Sequence, residues 1–157
     1  MMLELLCLII LANVIPPLMA RLFGTLADWP VDLGLKLAQQ PLFGRSKTWR
    51  GLVSSLLLTP PVALLFGFSL WQGFLIASMA MLGDLLGSFC KRRLRIQTSG
   101  MAPGLDQIPE SLLPALAMKQ TLMMSWGDIL ILVVLFIFME LLLSRLGFIL
   151  KLRKHPY

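Results

Sequence analysis

Three short segments of this chain combine the acidic, basic and hydroxyl side chains that a phosphate-binding site requires. In the first segment, Asp84, Ser88 and Lys91 follow at helical spacing, so they share one face of a helix. Arg92 and Arg93 continue this segment as a cluster of positive charge. An acid beside several cations at the end of an apolar helix is suited to binding a metal ion together with a polyphosphate.

The second segment, Ala102–Gln107, contains a turn at Pro103 and Gly104 that is followed closely by Asp106. Turns of this kind can point backbone amides at an anion. Asp106 and Asp84 would supply two carboxylates from separate parts of the chain. Mg²⁺ takes one or two carboxylates together with phosphate oxygens and water, so this pair predicts a magnesium site.

The third segment, Pro41–Gly51, places Arg45, Lys47 and Arg50 directly before an apolar run. It is not a P-loop, because the required order of glycines, lysine and serine or threonine is absent. By itself it is either an ordinary basic segment beside a membrane or a phosphate-binding arm. Because all three segments are predicted to face the same side of the membrane, we expect them to form one site for a nucleotide or a phospholipid.

Two of these features also have a purely structural interpretation. Asp84 could be no more than an ion-pair partner for Arg92 or Arg50. Asn13 lies close to Pro16 in the first apolar run, where it either bonds to a neighbouring helix at a kink or lines the cavity. The residue types alone leave both alternatives open.

The composition places these segments in a membrane protein. The 157 residues are 57% hydrophobic and 14% charged, whereas soluble domains have about 25% charged residues. The charges lie between long apolar runs of the length that crosses a bilayer. We therefore expect an all-α, polytopic integral membrane protein with a single domain over residues 1–157. The net charge of +6 comes from basic residues that flank these runs, which indicates membrane topology rather than nucleic-acid binding.

Charge also predicts the number of spans and their orientation. A doubtful span, Ile108–Met124, contains Glu110 and Pro114, and such an acid usually faces the protein interior or a wet cavity. Basic loops are expected on the cytoplasmic side of a membrane. The basic tail Lys151–Lys154 lies on that side together with the basic loops only if Ile108–Met124 crosses the membrane. We therefore predict about five transmembrane helices with cytoplasmic catalytic loops; the alternative is a re-entrant segment. Four further segments are clearly apolar: Leu3–Phe23, Gly51–Phe68, Trp71–Phe89 and Ile129–Leu150.

Together the motifs resemble those of the CDP-archaeol synthase family of lipid cytidylyltransferases. The resemblance lies in KTWRG at Lys47–Gly51, GDLLGSFCKRR at Gly83–Arg93 and APGLDQ at Ala102–Gln107, in the same order and with similar five-span spacing. A more distant similarity runs to the CDP-diacylglycerol synthases. This chain has Gln107 where the CDP-diacylglycerol synthases have an arginine, and Gln97-Thr98 where they have a lysine-aspartate pair. These differences favour the archaeol-type branch.

The resemblance implies a nucleotidyltransferase of phospholipid biosynthesis. Its reaction would convert CTP and a lipid phosphate, such as an archaeol-type isoprenoid glycerol phosphate, into a CDP-activated lipid and pyrophosphate with Mg²⁺ as cofactor. Its partners would be CTP, the lipid phosphate and the bilayer, without nucleic acid. The implied metal ligands are Asp84 and Asp106, within the catalytic set Lys47, Asp84, Lys91, Arg92 and Asp106. The implied substrate-binding residues are Asn13, Arg50, Ser88, Arg93, Gly104 and Gln107.

The alternative function is a small membrane transporter or scaffold that binds anionic lipid headgroups without catalysis. It explains the basic clusters as lipid recognition. It does not explain why two aspartates and a Pro-Gly turn lie among those cations.

Overall fold

The fold is a bundle of helices with a small hairpin between the first two. The computed structural model describes residues 1–96, 100, 102 and 104–149, with the side chains of residues 147–149 left out. Five helices lie in this part of the chain, which confirms the predicted all-α class: α1 (Met2–Phe23), α2 (Trp49–Leu65), α3 (Leu70–Arg93), α4 (Gln107–Met118) and α5 (Trp126–Ile149). The predictions made for Pro103, for Gln97-Thr98 and for the basic tail fall on residues outside those described.

Length and composition separate the helices into two kinds. Three of the described helices, α1, α3 and α5 over Trp126–Leu146, are long and apolar enough to cross a membrane, and α2 is a shorter apolar helix. The predicted segment Ile108–Met124 is helical, but α4 ends at Met118 and turns follow. Its 12 residues span about 18 Å, which is less than the roughly 30 Å of the hydrocarbon core.

Capping residues determine where helices α2 and α3 begin. The Thr48 side chain accepts a hydrogen bond from the Gly51 amide and so caps the start of α2. Ser69 and Gln72 form a capping box at the start of α3. The hydrophobic residues that follow keep α3 regular as far as the basic cluster at its end, where cations interact favourably with the helix dipole.

The loop between α1 and α2 folds back as a two-stranded hairpin. Its strands, β1 (Lys36–Leu37) and β2 (Gln40–Pro41), pair antiparallel with Lys36 opposite Pro41. The loop continues to the start of α2, where Val31 donates a backbone hydrogen bond to the Lys47 carbonyl over 2.8 Å. This bond joins the first part of the loop to its last part.

Two glycines of α3 bring this helix into close contact with the start of α4. A Cβ atom at Gly83 would overlap the Pro109 carbonyl group and lie 2.6 Å from the Glu110 amide nitrogen. A Cβ at Gly87 would lie 2.7 Å from the Leu105 carbonyl oxygen. Small residues let helix backbones approach one another in this way. The Glu110 backbone of α4 therefore lies against the part of α3 that carries Asp84.

Candidate active site

A cavity of about 560 Å³ lies where the α1–α2 loop meets the end of α3 and the start of α4. Its volume falls within the range of roughly 300–1,000 Å³ that small-molecule sites occupy. Parts of α1 and α5 complete its wall. Among the described residues, four basic and five acidic side chains line it: Arg45, Lys47, Arg50 and Lys91, and Asp28, Asp84, Asp106, Glu110 and Glu140.

Two lysine–aspartate ion pairs bring the three predicted segments together in this cavity. Lys47, one residue before the cap of α2, pairs with Asp84 of α3. Lys91 of α3 lies 2.8 Å from Oδ1 and 3.0 Å from Oδ2 of Asp106, so its Nζ contacts both carboxylate oxygens. The side chains of both lysines are largely buried, 23% and 11% exposed. Each segment therefore supplies charge to one site.

The electrostatic surroundings keep Lys47 charged. Burial by itself would lower the pKa of its ammonium group. The negative charges of Asp84, Glu110 and Asp106 outweigh that effect and raise the pKa above its ordinary value. Lys47 is therefore a fixed positive charge at neutral pH, whichever anion it faces.

Glu110 is a third carboxylate at this point that was not among the predicted site residues. It is 5% exposed and lines the same cavity as Asp84. Its sequence signal was an acid inside an apolar segment, four residues after Asp106 and so on the same helix face. Glu140 of α5 lines the same cavity and gave the same signal, because it is an acid inside the apolar segment Ile129–Leu150.

Three of the predicted substrate-binding residues also line the cavity. Asn13 lines the cavity, and its side-chain NH₂ group donates to the Ile9 carbonyl of its own helix over 3.0 Å. Arg50 donates to the carbonyls of Gly24 and Leu26 and pairs with Asp28 at the cavity edge. Gln107 is the third predicted substrate-binding residue that lines the cavity.

Four predicted residues, all of them described, are absent from the cavity wall. The Gly104 amide donates to Oε1 of Gln107 over 2.8 Å, so it is already bonded within its own turn. Ser88 and Arg92 are buried in α3, with 3% and 4% of their surface exposed. The predicted phosphate contacts of Gly104, Ser88 and Arg92 stay predictions. Arg93 is the fourth predicted residue that is absent from the cavity wall.

Arg93 connects α3 to the hairpin. Its guanidinium donates to the carbonyls of Leu37 over 2.6 Å and Pro41 over 2.8 Å, and more weakly to Gln40 over 3.3 Å. The same group lies over the Phe89 ring, 5.1 Å from its centroid. Arg93 therefore positions the loop that carries Lys47, and its predicted contact with phosphate stays untested.

Asp32 organises the same loop from within. This carboxylate is 4% exposed and accepts hydrogen bonds from the amides of Gly34, Phe43 and Gly44 over 3.1, 3.0 and 2.9 Å. Burial alone would raise the pKa of Asp32, but the three amides lower it below its ordinary value. The charged form is therefore the one that stabilises the loop.

We expect the stability that Asp32 supplies to depend on pH. Because its pKa is lower in the folded protein, the contribution is complete above the unfolded value of about 3.9 and is lost as pH falls through the folded pKa. Thermal unfolding of the purified protein between pH 7 and pH 3 should therefore show a steeper acid loss for the wild type than for Asp32→Asn. Parallel curves for the two proteins would show that the charge of Asp32 does not stabilise the loop.

The donor set around the cavity fits a hard divalent cation. Within the described part of the chain, no group of three acidic, histidine or cysteine side chains is arranged as a complete metal site. Mg²⁺ does not require one, because it is usually bound by one or two carboxylates plus phosphate oxygens and water. Asp84 and Asp106 are two carboxylates that line one cavity, in which acidic side chains outnumber basic ones by five to four.

Comparisons with known proteins agree on one family. The family model described as CarS-like: CDP-archaeol synthase matches residues 1–157. The CDP-archaeol synthase of Methanopyrus kandleri is 33% identical over 159 residues, which cover 94% of this chain and 90% of that protein. That of Saccharolobus solfataricus is 30% identical over 82% of this chain and 81% of its own length. That of Hyperthermus butylicus is 38% identical over 99 residues, 56% of its length.

A solved structure gives the same result at the level of the fold. It is described as structural insight into an intramembrane enzyme for archaeal membrane lipids biosynthesis. It superposes on this chain with a TM-score of 0.70 and 27% sequence identity, over 87% of this chain and 90% of its own. The overall fold is therefore similar to that of an intramembrane enzyme.

Proposed function

Because the chain belongs to the CDP-archaeol synthase family, we propose that its cavity transfers the cytidylyl group of CTP to the phosphate of a membrane lipid. Enzymes of this family are cytidylyltransferases of membrane-lipid biosynthesis. The products would be a CDP-activated lipid and pyrophosphate, and the lipid an archaeol-type isoprenoid glycerol phosphate or a similar lipid phosphate. The convergence of the Lys47–Asp84 and Lys91–Asp106 pairs in one cavity is the observation that carries this proposal.

The reaction needs positioning and charge neutralisation more than covalent chemistry. An oxygen of the lipid phosphate attacks the α-phosphorus of CTP, and the bond to the β-phosphate breaks as pyrophosphate leaves on the opposite side. Attacking group, centre and leaving group are all anionic. Lys47 and Lys91 lie where they can exchange their aspartate partners for phosphate oxygens, which lowers the electrostatic cost of the transition state.

A divalent cation would complete this charge balance. Asp84 and Asp106 would hold Mg²⁺, which would neutralise the phosphate oxygens when bound. Its positive charge would offset the excess of acidic over basic side chains in the cavity lining. Lys47 and Lys91 then remain as cations for the phosphates that approach the two aspartates.

The cavity wall suggests how a lipid reaches the site without leaving the bilayer. Part of its apolar lining comes from α1 and α5, both of which are long enough to cross the membrane. Pro16 and Pro17 of α1 and Leu141 of α5 lie in this part. We place this end of the bundle in the cytoplasm, where CTP is found, because basic residues accumulate on cytoplasmic loops.

Product analysis tests the proposal directly. The purified protein would be incubated with CTP, Mg²⁺ and, separately, an archaeol-type phosphate, phosphatidic acid and a polyprenyl phosphate. We expect at least one CDP-lipid by mass spectrometry, formed with an equal amount of pyrophosphate. Failure to form any CTP-dependent product would contradict the proposal. A protein whose thermal stability responds to the lipid phosphate and is indifferent to CTP with Mg²⁺ would instead fit the transporter or scaffold alternative.

A further inference from the structure

We propose that Arg45 binds the terminal phosphates of the nucleotide and, with them, the pyrophosphate that leaves. This inference rests on the proposed function and assigns one of its steps to a residue of the third segment that lies outside the KTWRG motif. Arg45 lies in the α1–α2 loop, two residues before Lys47, and lines the cavity.

The cations of the cavity differ in whether they already have a partner within the protein. Lys47 and Lys91 are each paired with an aspartate, and Arg50 is held by two backbone carbonyls and Asp28. Within residues 1–96, 100, 102 and 104–149, the Arg45 side chain makes no ion pair or hydrogen bond. Among the cations described in the cavity, it can therefore accept an incoming anion without first giving up a protein contact.

The second argument is the direction of the reaction. In an in-line transfer the attacking and leaving oxygens lie on opposite sides of the phosphorus. The attacking phosphate belongs to a lipid that is anchored in the bilayer, so the leaving pyrophosphate points toward the water. Arg45 is an exposed residue in a loop between two membrane helices, whereas Lys47 and Lys91 are largely buried. It therefore lies at the aqueous rim, where the pyrophosphate must leave.

The third argument is that the loop holds Arg45 in place. Asp32 accepts the amides of Phe43 and Gly44, which immediately precede Arg45. The Lys47 amide donates to the Gly44 carbonyl over 3.2 Å, which closes a turn around Arg45. The backbone is therefore fixed on both sides, and only the side chain has to be ordered when it binds. A guanidinium can contact two phosphate oxygens at once, which suits a diphosphate group.

Ligand binding without turnover tests this assignment. Wild type, Arg45→Ala and Arg45→Lys would be titrated calorimetrically with Mg²⁺-pyrophosphate and, separately, with CMP. We expect Arg45→Ala to raise the dissociation constant for pyrophosphate about tenfold or more, as for a lost charged hydrogen bond. The constant for CMP should change less than about twofold, since CMP lacks the terminal phosphates. Arg45→Lys should be intermediate, because it keeps the charge and loses the two-point contact.

Lys36→Ala is the matched control, since Lys36 is an exposed cation of the same loop and is absent from the described lining of the cavity. It should bind both ligands as the wild type does. Unchanged pyrophosphate binding by Arg45→Ala, or an equal loss for CMP, would overturn the assignment. A wild type that binds pyrophosphate through Arg45 and yet forms no CDP-lipid would refute the proposed function alone. Thermal unfolding of each variant verifies that it is folded.

Discussion

Asparagine in place of Asp84 or Asp106 is expected to reduce kcat/KM for CDP-lipid formation by at least about 10²- to 10³-fold, the usual effect of removing one preorganised charge from a transition state. Each replacement keeps the size of the side chain and removes its charge. It thereby takes one of the two carboxylates from the proposed metal site. Pyrophosphate release at several Mg²⁺ concentrations measures the effect.

Asp128→Asn is the matched control for this prediction. Asp128 caps the start of α5 through Ser125 and is not among the described residues that line the cavity. Its replacement also removes one carboxylate charge, and activity should stay close to that of the wild type. Near-normal turnover by Asp84→Asn or Asp106→Asn would remove that residue from the metal role.

A second variant separates catalysis from the structural role of the Lys47–Asp84 ion pair. Asp84→Asn leaves Lys47 partly buried without its counter-ion, which by itself destabilises the protein. Adding Lys47→Met removes the unpaired charge and should restore much of the lost thermal stability. Activity should stay low in the double variant. Recovery of activity together with stability would show that the pair has only a structural role.

The second large effect is expected from Gly83→Ala. Its Cβ would overlap the Pro109 carbonyl and lie 2.6 Å from the Glu110 amide nitrogen, so a backbone rather than a flexible side chain must move. Overpacking of this kind costs about 1–3 kcal/mol. Because Asp106 and Glu110 lie at the start of α4, the displacement should also lower activity. Thermal unfolding in detergent and pyrophosphate release measure the two effects.

Gly127→Ala makes the same chemical change where there is room for it. A Cβ there would meet only the Ser125 hydroxyl, at an ordinary distance of 3.5 Å. Stability and activity should both be retained. Wild-type stability in Gly83→Ala would show that α3 and α4 do not approach as closely as described.

Local signals were sufficient to predict the membrane character, the helices and the segments that carry the site. Hydropathy and helical spacing depend on residues near one another in the chain, so the face that holds Asp84 and Lys91 can be read from the sequence. The length of α4 was overestimated because Leu122, Met123 and Met124 are apolar, although the backbone turns after Met118. Met123 is exposed in this turn, so apolar composition did not mark where the helix ends.

Only the tertiary structure decided which charges meet. The sequence offered Arg92 or Arg50 as an alternative ion-pair partner for Asp84, whereas the structure pairs Asp84 with Lys47. The contacts of the Arg93 guanidinium with the hairpin carbonyls were not predicted, and its phosphate contact stays a prediction. Glu110 enters the site because Gly83 lets α4 approach α3. Side-chain direction and backbone approach between distant segments set these contacts, and no local pattern in the chain encodes either one.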